Sequence, residues 1–204
     1  MPNANVIELE ACLEDVLKYC DAHPETAFVQ YYHPRVLHSW RTYSSAMTES
    51  DAKFIQWRRE EEDDRMMWKH VAQELSATQR QLKRLNAVGF PTEKLGHWDE
   101  DALVDLVNEM LAYLHERHSV IEGAAKMEEG LKQKLARAKV EKTEDSLAFR
   151  EYRRIASTRA DALGSLSAHL WDFRGALRRQ AGKRDPSYTA IRWPFSLNPD
   201  DNVL

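Results

Sequence analysis

Glycine and proline are scarce, at seven of each in 204 residues, and proline is absent from Thr92 through Asp185. A globular sheet protein needs far more turn punctuation than that, which excludes a β fold. Long apolar runs are missing as well. The uncharged stretches fall well short of the ~20 residues that a membrane-spanning helix requires, so no membrane association is expected. The N-terminal MPNANVIELE has no basic region and no apolar core, and does not read as a secretory signal. Only two cysteines occur, Cys12 and Cys20, on one predicted helix and too distant along it to bridge. Free thiols without an export signal point to a reducing cytoplasm. Catalytic fingerprints are also lacking: there is no phosphate loop, CxxC, HExxH or nucleophile elbow, and the chain leans away from an enzyme.

Charge is abundant. Charged residues make up 30% of the chain and mean hydropathy is −0.64, which favours thin, exposed architecture over a compact globule. Met1 to Gly130 holds 14 basic and 24 acidic residues, net −10, whereas Leu131 to Arg184 holds 14 basic and 6 acidic, net +8. Acidic and basic helices lying side by side explain this polarity; an anionic partner is the alternative.

Apolar periodicity is helical nearly throughout. Val6, Leu9, Leu13, Val16, Leu17 and Cys20 form one stripe, ended by His23-Pro24, and Pro34 marks a second interruption. Thr48, with Asp51 three residues on, reads as an N-cap that splits the following region. Gly89 then serves as a C-cap and Asp99 as the next N-cap. Thr143 in KTEDS reads as a further cap, and Gly182 closes the last helix. The reading is an all-α antiparallel bundle over residues 1–182, with N-terminal helices within 4–47. Three long helices at 49–88, 100–141 and 144–181 make an up-down-up core, followed by an extended tail at 183–204. The length suffices for one substantial core or two small ones. Phe149, Ala156, Leu163, Leu170 and Leu177 form a coiled-coil-like heptad interleaved with Tyr152, Leu166 and Phe173, where only Arg159 interrupts the second series.

Two sets of polar residues interrupt the apolar faces. Glu61 and Asp64 fall inside the stripe Phe54, Trp57, Trp68, Val71, Leu75, Leu82, where a carboxylate needs a cation. If helices 49–88 and 100–141 form a hairpin, residues at equal height sum to roughly 188, and to roughly 284 for the next pair. That construction puts Glu61 and Asp64 near Met127 and Ala124, and Arg159 level with Ala125. A buried Glu61–Asp64–Arg159 cluster follows. The alternative is a divalent transition metal held by Glu61, Asp64, His115, His118, Glu122 and His169. His115, His118 and Glu122 share a helical face beside the stripe Leu103, Val107, Met110, Leu114, Ile121, Ala125, and His169 is level with His115. Otherwise no cofactor is implied.

The tail holds Pro186, Pro194 and Pro199, which forbid a helix, while Ile191, Trp193, Phe195 and Leu197 alternate as in an extended segment. Tyr188, Ile191, Trp193, Pro194, Phe195 and Leu197 are therefore expected to dock, on their own bundle or on a partner. Arg174, Arg178, Arg179, Lys183 and Arg184 form a basic patch at the end of the last helix. The helix dipole accounts for it, and no aromatic residues interleave with it as in a nucleic-acid platform. The composite expectation is a non-enzymatic, cytoplasmic helical bundle acting through protein–protein contacts as scaffold, adaptor or assembly component, as a homo-oligomer. The competing classes are a metal-binding bundle and, third, binding of an anionic polymer by the basic helix.

Overall fold

The computed structural model describes residues 4–93 and 99–194, with side chains from residue 7 onward. Of these residues 84% are helical and none lies in a strand, so the expected all-α bundle is formed. The helices are α1 (Ala4–Ala22), α2 (Ala27–Arg84), α3 (Glu100–Glu116), α4 (Ala124–Ala181) and α5 (Pro186–Thr189). Two compact units are present: unit 1 is Met1–Asp51 with Arg154–Leu204, and unit 2 is Ala52–Arg153. Each has its own core.

The partition into helices differs from the sequence reading at several points. Thr48 does not cap a new helix, because its hydroxyl donates to the Ser44 carbonyl at 3.0 Å and α2 runs on through it for 58 residues in all. Thr143 behaves likewise, donating to the Lys139 carbonyl at 2.9 Å inside the 58-residue α4. A threonine that satisfies its hydroxyl on the preceding turn is a helix-interior residue, and the cap reading loses. The break falls instead at Gly123, whose φ of +76° lies in the left-handed region. Glycine enters that region without the steric penalty other residues incur. Pro34 lies within α2, where it removes one backbone donor; Val29 and Val36 on either side of it are fully buried, and that packing holds the helix through it. The end of α2 is set by Asn86 (φ +54°) rather than Gly89. The Asn86 N–H donates to the Lys83 carbonyl at 3.1 Å and the Ala87 N–H to that of Leu82 at 3.0 Å, a Schellman pair. Asp99 caps α3 as expected, accepting from the Asp101 and Ala102 N–H groups.

In unit 1 the predicted stripe of α1 is buried at Leu9, Leu13, Val16 and Cys20, joined by Cys12. It packs on Val29, Val36 and Tyr43 of α2 and on Leu166, Leu170, Phe173 and Leu177 of α4. Burial pushes both thiols up to about 12, which makes them packing groups rather than nucleophiles. The α2 and α4 segments run antiparallel here: Ser39 Oγ lies 2.7 Å from His169 Nδ1, and Asp51 lies 3.5 Å from Arg159.

In unit 2, Trp68, Val71, Leu75 and Leu82 of α2 meet Leu103, Val107, Met110 and Leu114 of α3, with Leu131, Leu135 and Ala138 of α4. Each fully buried leucine contributes about 1.5–3 kcal/mol. The third helix covers only part of the antiparallel α2/α4 pair. No side chain in residues 52–67 or 139–153 is buried. No described helix is long and apolar enough to cross a membrane.

Candidate functional site

The section of unit 2 without a third helix is held by aromatic rings. Trp57 stacks on Tyr152 with centroids 5.6 Å apart and planes 6° apart. It also meets Phe149 at 5.1 Å, while Phe54 meets Tyr152 at 5.5 Å. The predicted stripe and heptad do converge here, but Phe54 remains 43% and Phe149 38% exposed. With 3.6 residues per turn, Ile55, Arg59, Glu62 and Met66 lie on the opposite side of α2 from Trp57. All four are exposed, and an open groove of about 590 Å³ runs among Phe54, Ile55, Arg58, Arg59, Glu62 and Met66.

The carboxylates expected to share Arg159 are neutralised differently. Arg159 pairs with Asp51 and is part-exposed, so it is not the buried core cation. Glu61 pairs with Arg58 and, at 3.7 Å, with Arg65 of its own helix. Asp64 faces Asp145 of α4 and Glu100 of α3 around a cavity of about 450 Å³ that Trp68 also lines. Arg65 and Lys69 also line the cavity, and Lys142 lies 2.5 Å from Glu100 and 5.8 Å from the Trp68 ring centre. Burial, then the Glu100 charge, raises the Asp64 pKa; burial, then Glu61, raises that of Asp145. The Trp68 N–H opposes the Asp64 shift, yet Asp64 Oδ1 and Trp68 Nε1 lack a hydrogen bond of ordinary geometry, as does Asp145 Oδ1. The error in the sequence reading was the register. The break falls at Gly123 rather than Thr143, and the expected antiparallel hairpin of α2 with α3 is not formed. Glu100, at the start of α3, lies beside Asp64 and Trp68, and Tyr113 near its end donates to the Val88 carbonyl, so α3 runs in the same direction as α2.

His115 and His118 do come together, with Glu128 rather than Glu122 as their carboxylate. His115 lies in the last turn of α3, His118 lies in the turn, and Glu128 sits in the second turn of α4. A hydrogen bond joins His118 Nε2 to Glu128, His115 Nδ1 lies 3.4 Å from the other carboxylate oxygen, and the Lys132 ammonium donates to that oxygen too. The Glu128 side chain is 5% exposed, against 73% for His115 and 41% for His118. Its cover comes from its own partners close to the surface. The Lys132 hydrogen bond therefore outweighs desolvation and, with that from His118, lowers the Glu128 pKa. Of the other proposed ligands, Glu122 is exposed, Glu61 and Asp64 belong to the carboxylate group above, and His169 bonds Ser39. Glu128 was legible only as an acidic residue on a helix, since its neighbours come from across the turn at Gly123.

In unit 1 the start of the tail docks on its own chain. Tyr188, Ile191 and Pro194 are buried and Trp193 is half-buried; Phe195 and Leu197 lie outside the described residues. This segment is not wholly extended. Asp185 caps α5 and Pro186 takes its first turn, where a missing N–H costs nothing. Arg192 binds Asp15 through Nε at 2.8 Å and Nη2 at 2.9 Å. Arg174, read from sequence as part of a basic patch, is buried instead. Its Nε donates to Tyr188 Oη at 2.8 Å, and its guanidinium lies 5.5 Å from the Trp193 ring centre. Arg178, Arg179, Lys183 and Arg184 stay on the surface.

Comparison of the chain with protein-family models, with curated proteins and with solved structures gives no match.

Proposed function

We propose that this chain acts through protein–protein contacts, as a non-enzymatic cytoplasmic assembly component, and that its first partner is a second copy of itself. The supporting observation is the seam Ile55–Arg59–Glu62–Met66 on the exposed face of α2. Its spacing of four, three and four is symmetric about the point between Glu60 and Glu61. Turned antiparallel about a two-fold axis there, Ile55 meets Met66 of the second copy and Arg59 meets Glu62. Arg58 then faces Asp63. Antiparallel coiled coils pair their seam positions in this way, and a two-fold contact uses one patch twice. Parallel pairing would set Arg59 on Arg59 and Glu62 on Glu62, and like charges disfavour it. Two buried free thiols suit the reducing compartment proposed.

The seam covers about three turns, so the area buried is below that of a standard stable interface and dimerisation depends on concentration. Sedimentation over a range of concentrations tests the reading. Ile55→Glu with Met66→Glu should give a monomer of unchanged helicity. Arg59→Glu alone should weaken association, and adding Glu62→Arg should restore it, because the swap recreates the pairing. A parent that stays monomeric throughout, or a dimer indifferent to all these changes, overturns the proposal.

A further inference from the structure

We propose that His115, His118 and Glu128 bind a single divalent transition-metal ion of the zinc class at the turn joining α3 to α4. The ligand types come first. Two imidazoles with one carboxylate suit zinc and its neighbours, whereas magnesium and calcium take oxygen ligands. The spacing agrees. One ligand atom from each residue lies within 4.8 Å of the others, and His115 Nδ1 is 3.4 Å from Glu128 Oε1. Metal–ligand bonds of about 2.0–2.2 Å in a tetrahedron set neighbouring ligand atoms roughly 3.3–3.6 Å apart. Small side-chain rotations therefore close the set without moving a helix.

The backbone places the three residues independently of any ion. His115 is in the last turn of α3, and Gly123, with φ +76°, turns the chain so that Glu128 comes back beneath the two rings. Both imidazoles are exposed, so an ion reaches the site from solvent and a fourth position stays open to water. Lys132 is the competitor, since its ammonium now neutralises Glu128. That side chain is 53% exposed and rotates into water readily, and a dication then replaces a monocation at the same carboxylate. A purely structural charge cluster would need Lys132 to remain. This gives the two readings opposite consequences.

The probes are zinc and cobalt(II) added singly to the purified full chain, with magnesium as control. One equivalent of zinc should bind, and cobalt should show the visible absorption of a four- or five-coordinate ion. His115→Ala and His118→Ala should each weaken zinc binding about tenfold or more. His115 is largely exposed, so its variant keeps the fold even if Glu128→Gln does not. Lys132→Met should hold or tighten zinc binding. The proposal is overturned if zinc binding is absent, or is unchanged in the double histidine variant. It is equally overturned if Lys132→Met weakens zinc binding.

Discussion

One substitution made at two glycines separates the break at Gly123 from the continuous helix that the sequence suggests over 100–141. Gly164 lies inside α4, and a Cβ added there meets nothing within 4 Å. Gly164→Ala should therefore stabilise the protein by about 0.5–1 kcal/mol, the ordinary preference of a helix interior. Gly123 also has room, since its added Cβ would meet only Gln81 Nε2 at 3.6 Å, an ordinary contact. Its backbone decides the outcome. At φ +76° an alanine suffers strain of about 1–2 kcal/mol, and the smaller entropy of the unfolded chain returns only about 0.4–1. Gly123→Ala should therefore destabilise by about 1 kcal/mol, so that chemically identical changes shift stability in opposite directions. Urea unfolding followed by far-ultraviolet circular dichroism measures both. Should the two units melt in separate transitions, the Gly123 effect belongs to that of unit 2. A Gly123→Ala variant as stabilised as Gly164→Ala would mean that α3 continues into α4, and would refute the turn that assembles His115, His118 and Glu128.

Asp145→Asn should be more stable than the parent at neutral pH. The folded-state pKa of Asp145 is raised above the ordinary 3.8, so the parent holds its full stability below that value and loses some as pH rises through the raised one. The advantage of the variant should vanish below pH 3.8, and unfolding at both pH values checks this. Arg174→Met should cost about 1–3 kcal/mol by stripping the Tyr188 hydroxyl of a charged partner, in contrast to the exposed Arg179→Ala, expected within about 0.5 kcal/mol. Equal effects in thermal melts would return Arg174 to the solvent-facing patch.

What could be read directly from the residues was local. The apolar stripe of α1, the Asp99 cap, the end of α4 at Gly182 and the nearness of His115 to His118 all depend on groups within a turn or two of each other. Helical periodicity and capping chemistry are short-range, and a single sequence states them. Which face an element covers, and at what height, is not short-range. Thr48 and Thr143 have the chemistry of caps and of helix-interior residues alike, and in the fold each takes the second use, its hydroxyl donating to the carbonyl four residues back. Placing the break at Thr143 instead of Gly123, and taking α3 to run back along α2 when it runs in the same direction, displaced the register, and with it the partners inferred for Glu61, Asp64, Arg159 and His169. The stripe of α2 likewise states that Phe54 and Trp57 seek apolar neighbours, but not that α3 begins too far along to cover them. Tertiary packing decided these points because an amphipathic face specifies burial without specifying its partner, and the partner is chosen by where the chain turns.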